Sequence, residues 1–168
     1  MVDLVHARAK VELEANDLFD NGSFVEALSK YRNALEIEKT SSGYVFVANT
    51  LSLLNRNSEA LEYYELALKA EPNVLLQVPI LLTIGKLQNL FEHVDLAMES
   101  LQQVVTIALN QMPYEYAAAH LELARCRMIQ DDTSRALEHY QEAVAVMDDS
   151  RQLAKVLNVG LVDHSYHQ

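Results

Sequence analysis

Hydrophobic residues recur at spacings of three and four along most of the chain, which is the period of amphipathic α-helices. Short turn signals such as Asn21-Gly22 and Pro72 interrupt this pattern at intervals of about 15–20 residues. The pattern therefore predicts an all-α fold of short helices joined by tight turns.

One helical segment occurs four times with a small residue, a bulky residue four positions later and another small residue beyond it. The two clearest copies contain Ala27-x-x-x-Tyr31 and Ala60-x-x-x-Tyr64. Weaker copies follow at Ala97, Leu101 and Val104 and at Ala136, Tyr140 and Ala143. Twelve positions before each key alanine lies another small residue, namely Ala15, Ala48, Gly85 and Ala124. Small residues that face each other let two antiparallel helices approach closely, so each copy predicts a helix pair.

This repeat resembles the tetratricopeptide repeat, a helix–turn–helix unit of about 34 residues with small and aromatic residues at fixed positions. The second copy matches best, with Tyr44 and Ala48 in one helix, Ala60 and Tyr64 in the next, and Pro72 at its end. The key alanines lie 33, 37 and 39 residues apart (27 to 60, 60 to 97, 97 to 136). The third and fourth copies therefore require longer helices or an altered superhelical pitch.

The resemblance implies a right-handed superhelical α-solenoid of about four antiparallel helix pairs with a C-terminal capping helix. Asp148-Asp149-Ser150 and Gly160 are the start and stop signals of that cap, and Ser23 with Glu26 predicts a capping box in the first copy. We expect a single domain over residues 1–168, with repeats at about 8–40, 41–74, 75–112 and 113–148, the capping helix at about 149–160 and a tail at 161–168.

Charge and cysteine content narrow the function classes. The chain has 24 acidic and 13 basic residues and a net charge of −11, which disfavours binding to a nucleic-acid backbone. Its single cysteine, Cys126, excludes an internal disulfide and favours a reducing compartment, so we expect a cytoplasmic protein. The segment Met1 to His6 lacks the features of a secretory signal, and the apolar segment Val74 to Ile84 is too short to cross a bilayer.

Candidate chemistry is sparse. His164 and His167 have a spacing that brings two imidazoles to one helical face, but no third ligand lies nearby in sequence, which favours a solvated tail over a metal site. Cys126 lies between Arg125 and Arg127, and a buried thiol is favoured over a reactive one. The sequence contains no glycine-rich phosphate loop, nucleophile elbow or metalloprotease motif. We therefore predict no enzyme activity, no cofactor and no metal.

In the proteins that this sequence resembles, the first helices of successive repeats line a concave groove that holds a peptide. Asn16 and Asn49 occupy the same position in consecutive repeats, and an amide both donates and accepts hydrogen bonds to an extended backbone. Lys86 and Arg125 occupy the next equivalent positions and favour a peptide with an acidic end; ordinary solvated polar residues are the alternative. The resemblance implies that the groove is lined by Glu12, Asn16, Phe19, Val45, Asn49, Ser52, Leu82, Lys86, Asn89, Leu121, Arg125 and Met128.

A branch of this family grips the acidic C-terminus of heat-shock chaperones with basic and asparagine side chains. Here Asn16 matches one of those side chains, but Glu12 replaces a lysine, and Phe46, Pro79 and Thr83 occupy the other positions. This departure argues against co-chaperone activity.

The resemblance implies a scaffold or adaptor that binds a peptide or helical segment of a partner protein. Two alternatives are a secretion-type chaperone and a non-catalytic regulatory subunit of an enzyme complex. The apolar stretch Val74 to Phe91 floors a hydrophobic groove, forms a homodimer interface or belongs to a long buried helix, and these three interpretations stay open at this stage.

Overall fold

The computed structural model describes the backbone of residues 2–162 and the side chains of residues 3–149. This part of the chain is all-α and contains eight helices and no strand. The helices are α1 (Val2–Asp20), α2 (Phe24–Ile37), α3 (Ser41–Leu53), α4 (Asn57–Ala70), α5 (Val74–Leu90), α6 (Val94–Ala108), α7 (Pro113–Ile129) and α8 (Thr133–Val162).

Contacts divide the chain into two compact units, Met1–Leu87 and Gln88–Gln168, named unit 1 and unit 2 below. In unit 1, α1 packs on α2, α2 on α3 and α3 on α4. In unit 2, α6 packs on α7 and α7 on α8. The boundary between the two units lies inside α5, whereas the sequence predicts one domain.

The turns inside the helix pairs share one backbone geometry. After α1, α3, α5 and α7 the chain passes through one residue with positive φ, which is Gly22 (78°), Asn55 (58°), Glu92 (57°) and Asp131 (58°). The following backbone N–H then donates back to a carbonyl of the completed helix, as from Ser23 to Leu18 at 2.9 Å. This is the usual way in which a left-handed residue ends a helix and satisfies its last carbonyl groups. The positive-φ residues lie 33, 37 and 39 positions apart (22 to 55, 55 to 92, 92 to 131), the same intervals as the key alanines.

Four residues of each longer interval are taken up by a longer first helix, one of the two outcomes that the sequence predicts. Helix α3 has 13 residues, whereas α5 and α7 have 17 each. The second helices α2, α4 and α6 stay at 14, 14 and 15 residues.

Small residues occupy the closest contacts within the helix pairs. In unit 1, Ala15, Ala27, Ala48 and Ala60 are all 0% exposed. The equivalent alanines of unit 2, Ala97, Ala124 and Ala136, are also buried. The predicted pairs α1–α2, α3–α4 and α7–α8 are therefore confirmed by the packing that their small residues allow.

Two local predictions are corrected. No separate capping helix begins at residue 149, because α8 runs without a break from Thr133 through Gly160 to Val162. Ser23 is the N-cap residue of α2, but its side chain makes no capping hydrogen bond, so the predicted capping box does not form. The end of the predicted tail, residues 163–168, lies outside the described residues.

Candidate functional site

The main cavity of unit 1 lies between α3 and α5 and has a volume of about 380 Å³. Its apolar wall consists of Val45 and Phe46 from α3 and Leu76, Pro79 and Ile80 from α5. The polar part of the lining is Ser41, Ser42, Asn49, Tyr64, Glu71 and Thr83. This surface is named the α3–α5 cavity below.

Asn49 is fixed at the cavity by the buried tyrosine of the next helix. The Tyr64 side chain is 5% exposed, and its hydroxyl donates a hydrogen bond of 2.5 Å to Asn49 Oδ1. Burial raises the pKa of Tyr64, so the hydroxyl remains a donor. The amide oxygen of Asn49 is therefore occupied within the protein, while the Nδ2 group has no partner among the described residues and remains a donor at an exposed position.

The first helix pair contains the same arrangement. The Tyr31 side chain is 3% exposed, and its hydroxyl donates to Asn16 Oδ1 at 2.7 Å. Burial also raises the pKa of Tyr31, with smaller contributions from Asp20 and Glu12. Both pairs are separated by 15 residues, so the second repeat copies the first in side-chain bonding as well as in backbone.

Proline shapes the part of α5 that faces the cavity. Pro79 lies inside the helix and has no N–H to donate to the carbonyl of Leu75, one turn earlier. One turn after the proline, Thr83 Oγ1 donates to the Pro79 carbonyl at 2.9 Å. The first turn of α5 leaves Val74, Leu75 and Leu76 exposed by 52%, 44% and 55%. Unit 1 thus presents an apolar surface beside an amide donor.

The helix pair that carries this cavity matches a known family. The sequence profile of the tetratricopeptide repeat matches residues 41–74, which include all of α3 and α4. Residues 41–74 are therefore a tetratricopeptide repeat.

Solved structures extend the tetratricopeptide fold to most of the chain. A crystal structure of MamA superimposes with a TM-score of 0.75 at 10% sequence identity, covering 86% of this chain and 81% of that one. PilF of Pseudomonas aeruginosa gives 0.66 at 16% identity, with 86% and 63% covered. The apo form of RapI gives 0.74 at 16% identity, with 84% and 43% covered. No curated protein sequence matches this chain. At these identities the likeness concerns the fold.

Within unit 1, the residues predicted to line a groove fall into three groups: some line the cavity, some lie outside it, and some contact other side chains. Val45 and Asn49 line the α3–α5 cavity, whereas Ser52 is half-buried outside it and Lys86 is exposed. Glu12 and Phe19 have partners of their own in the structure. Arg8 Nη1 contacts Glu12 at 3.0 Å, and the Phe19 ring packs edge-on against Phe24 and Tyr31.

Two predicted lining residues are buried instead, and the prediction is corrected for them. Leu82 is 7% exposed and Asn89 is 5% exposed. Asn89 holds α5 to α7 within unit 2, because its Nδ2 donates to the carbonyl of Glu122 at 3.2 Å and its Oδ1 accepts from Cys126 Sγ at 2.9 Å. An amide so bonded has a structural role.

The remaining predicted residues, Leu121, Arg125 and Met128, are exposed on α7. Arg125 Nη1 lies 3.4 Å from Glu122 Oε2. Binding of an acidic peptide end by Lys86 and Arg125 stays a prediction.

Cys126 is a buried packing residue, as expected. It is 0% exposed, and burial raises the pKa of its thiol despite the hydrogen bond to Asn89. A thiol in this setting is a poor nucleophile.

A histidine pair on α7 and α8 was not predicted from sequence. His120 Nδ1 and His139 Nδ1 lie 3.0 Å apart, and the Tyr116 ring packs on His120 with 4.5 Å between ring centroids. Burial lowers the pKa of both imidazoles; His139 lowers that of His120 further, and Arg127 that of His139. The only sequence signal was that these two histidines belong to helices of the same pair.

Metal clusters and membrane-spanning helices are both absent from the described part of the chain. No group of three or more potential metal ligands occurs there, and His164 and His167 lie outside it. No helix in the described region has the length and apolar character needed to span a bilayer.

Proposed function

We propose that this chain is a protein-interaction scaffold that binds an extended segment of a partner protein in the α3–α5 cavity. The observation that carries the proposal is the combination of a preformed apolar cavity with the outward amide donor of Asn49. A volume of about 380 Å³ falls in the range of about 300–1,000 Å³ that is typical of ligand pockets.

The chemistry of the cavity selects the kind of segment. An apolar side chain fits between Phe46 and Leu76, where it removes apolar surface of both partners from water. The Nδ2 group of Asn49 donates to a backbone carbonyl of the bound segment, which requires no particular side chain at that position. Because Tyr64 already occupies Oδ1, the amide cannot rotate freely and its donors are pre-oriented.

The test is a pull-down from the cells in which the protein occurs, with wild type and two matched variants. Leu76→Asp places a carboxylate in the cavity, whereas Leu53→Asp introduces the same change at a leucine of unit 1 that does not line it. The two leucines are exposed to similar extents, 55% and 52%. We expect Leu76→Asp to lose partners that wild type and Leu53→Asp both retain. Equal retention by all three proteins would contradict the proposal.

A holding chaperone for a partner protein is the second candidate. It is favoured by the three consecutive exposed residues Val74, Leu75 and Leu76, since apolar surface of this kind covers aggregation-prone segments. Under this function a captured partner aggregates when the chain is removed, whereas the partner of an adaptor stays in solution. Both roles use the same cavity and neither requires a catalytic step.

A further inference from the structure

Unit 2 has a cavity of its own, which the predicted groove does not include. It has a volume of about 400 Å³ and lies where the α6–α7 turn meets α8. Leu109, Pro113, Tyr116 and Val146 give it an apolar floor, and the polar residues on its lining are Asn110, Glu142 and Asp149. This surface is named the α7–α8 cavity below.

The two carboxylates on this cavity form no ion pair with a described lysine or arginine, although the charge of Glu142 acts to raise the pKa of His120 and His139. The described arginines of unit 2 are engaged elsewhere: Arg125 with Glu122, Arg127 with Gln130 and Arg135 with Asp132. No basic residue lines the cavity. Glu142 and Asp149 are seven positions apart, or about 10.5 Å along the helix axis, which brings them to the same face of α8.

The negative charge of Glu142 acts on Tyr116, another residue that lines the cavity. Burial first and the charge of Glu142 second raise the pKa of Tyr116, whose ring forms part of the floor. A positive group between Glu142 and Tyr116 would meet a carboxylate and an aromatic ring, and both attract cations.

We propose that the α7–α8 cavity is a second docking site, which takes a lysine or arginine side chain of a partner protein. The aliphatic stem of such a side chain packs on Leu109, Tyr116 and Val146, while its charged head pairs with Glu142 or with Asp149. An apolar floor with an anionic rim matches an amphipathic cation better than a purely apolar or anionic group. This site is separate from the α3–α5 cavity, so either proposal can fail alone.

The test uses a defined probe, a flexible fluorescent heptapeptide with two arginines three positions apart, each followed by a leucine. Its matched control peptide carries citrulline, which keeps the shape of arginine and removes the charge. Binding is measured by fluorescence anisotropy at low and at physiological ionic strength, and the site is located by NMR shifts of the Tyr116 ring.

The protein variants are matched in charge. Glu142→Gln with Asp149→Asn removes both carboxylates of the cavity, whereas Glu138→Gln with Asp148→Asn removes two exposed carboxylates of α8 that do not line it. We expect the arginine peptide to bind wild type and the Glu138/Asp148 variant equally. The Glu142/Asp149 variant should bind it about three- to tenfold more weakly, as expected for two partly exposed ion pairs.

Three outcomes overturn the proposal: no binding to wild type, equal binding of the arginine and citrulline peptides, or equal weakening in both double variants. The last outcome would mean that the peptide responds only to the net charge of the protein. Circular dichroism of each variant verifies that α8 and its neighbours remain folded.

Discussion

The hydroxyl of Tyr64 on α4 donates a 2.5 Å hydrogen bond to Oδ1 of Asn49 on α3, fifteen residues earlier in the chain. This hydrogen bond connects a buried core residue with an exposed residue of the proposed binding site. It satisfies the only polar atom of a buried side chain, and it leaves the Nδ2 donors of Asn49 without a partner among the described residues. Tyr31 and Asn16 repeat the arrangement in the preceding helix pair at 2.7 Å.

Removal of the Tyr64 hydroxyl tests the structural side of this bond. Tyr64→Phe should lower the free energy of unfolding by about 1 kcal/mol, the typical net value of one intramolecular hydrogen bond. Tyr140→Phe is the control, because Tyr140 is 41% exposed and its hydroxyl makes no hydrogen bond to another described residue. Urea unfolding followed by circular dichroism measures both. Equal stability of Tyr64→Phe and wild type would show that the bond contributes nothing.

The N-terminus of α3, which lines the α3–α5 cavity, gives a second prediction. Thr40 Oγ1 accepts a hydrogen bond from the Gly43 N–H at 3.0 Å. Ser23 stands at the N-cap position of α2, but its side chain makes no capping hydrogen bond. Thr40→Ala should therefore cost about 1 kcal/mol of stability, and Ser23→Ala should cost clearly less. The same urea titrations compare the two variants. A larger loss of stability in Ser23→Ala than in Thr40→Ala would indicate that Ser23 does form a capping box, contrary to the structure.

The histidine pair of unit 2 predicts a dependence of stability on pH. Because burial lowers the pKa of His120 and His139, the unfolded chain binds more protons than the folded chain below the ordinary histidine pKa of about 6.5. The free energy of unfolding should therefore be fully retained above this pH and fall as the pH decreases through it. The buried Nε2 of His120 has no hydrogen-bond partner among the described residues, so a proton there would be poorly accommodated.

A variant with both histidines replaced by leucine isolates this effect, since every other histidine is common to both proteins. Unfolding free energies are compared between pH 7.5 and pH 5. The fall toward acid pH should be smaller in the variant than in wild type. Identical pH profiles would show that the pair does not titrate differently on folding.

Thiol accessibility tests the buried position of Cys126 on α7, where its thiol bonds to Asn89 of α5. Its 0% exposure and raised pKa predict very slow reaction with a thiol reagent in the folded state and rapid reaction in denaturant. A Leu53→Cys substitution in a Cys126→Ser background supplies an exposed control thiol. Fast modification of native wild type would contradict the buried position.

The sequence was sufficient to predict the helix pairs, because their determinants are local. Ala27 and Ala60 mark close helix contacts by size alone, and the intervals between the key alanines reappear in the positive-φ turns at Gly22, Asn55, Glu92 and Asp131. Local signals misled the prediction at residue 149, where Asp148-Asp149-Ser150 resembles a helix start. Asp148 and Asp149 are exposed residues of α8, where carboxylates are also tolerated inside a helix, and α8 continues beyond them.

Side-chain roles were harder to predict, because they depend on the directions of neighbouring helices. Asn16 and Asn49 were recognised as equivalent, but not as partners of Tyr31 and Tyr64, although both pairs have the same separation of 15 residues. The sequence predicts Asn89 as a third asparagine of the groove, after Asn16 and Asn49. It is buried because α6 and α7 cover this part of α5 within unit 2, and there its amide bonds to Glu122 and Cys126.

Photo-cross-linking from inside the α3–α5 cavity tests the proposed function most directly. A photoreactive residue replaces Thr83, which lines the cavity, or Glu65, an exposed residue of α4 that does not, and each protein is irradiated in its own cells. We predict that position 83 cross-links a partner through one defined segment with an apolar residue, and that position 65 does not. Cross-linking of the same proteins at both positions, or at position 65 alone, would contradict binding in the cavity.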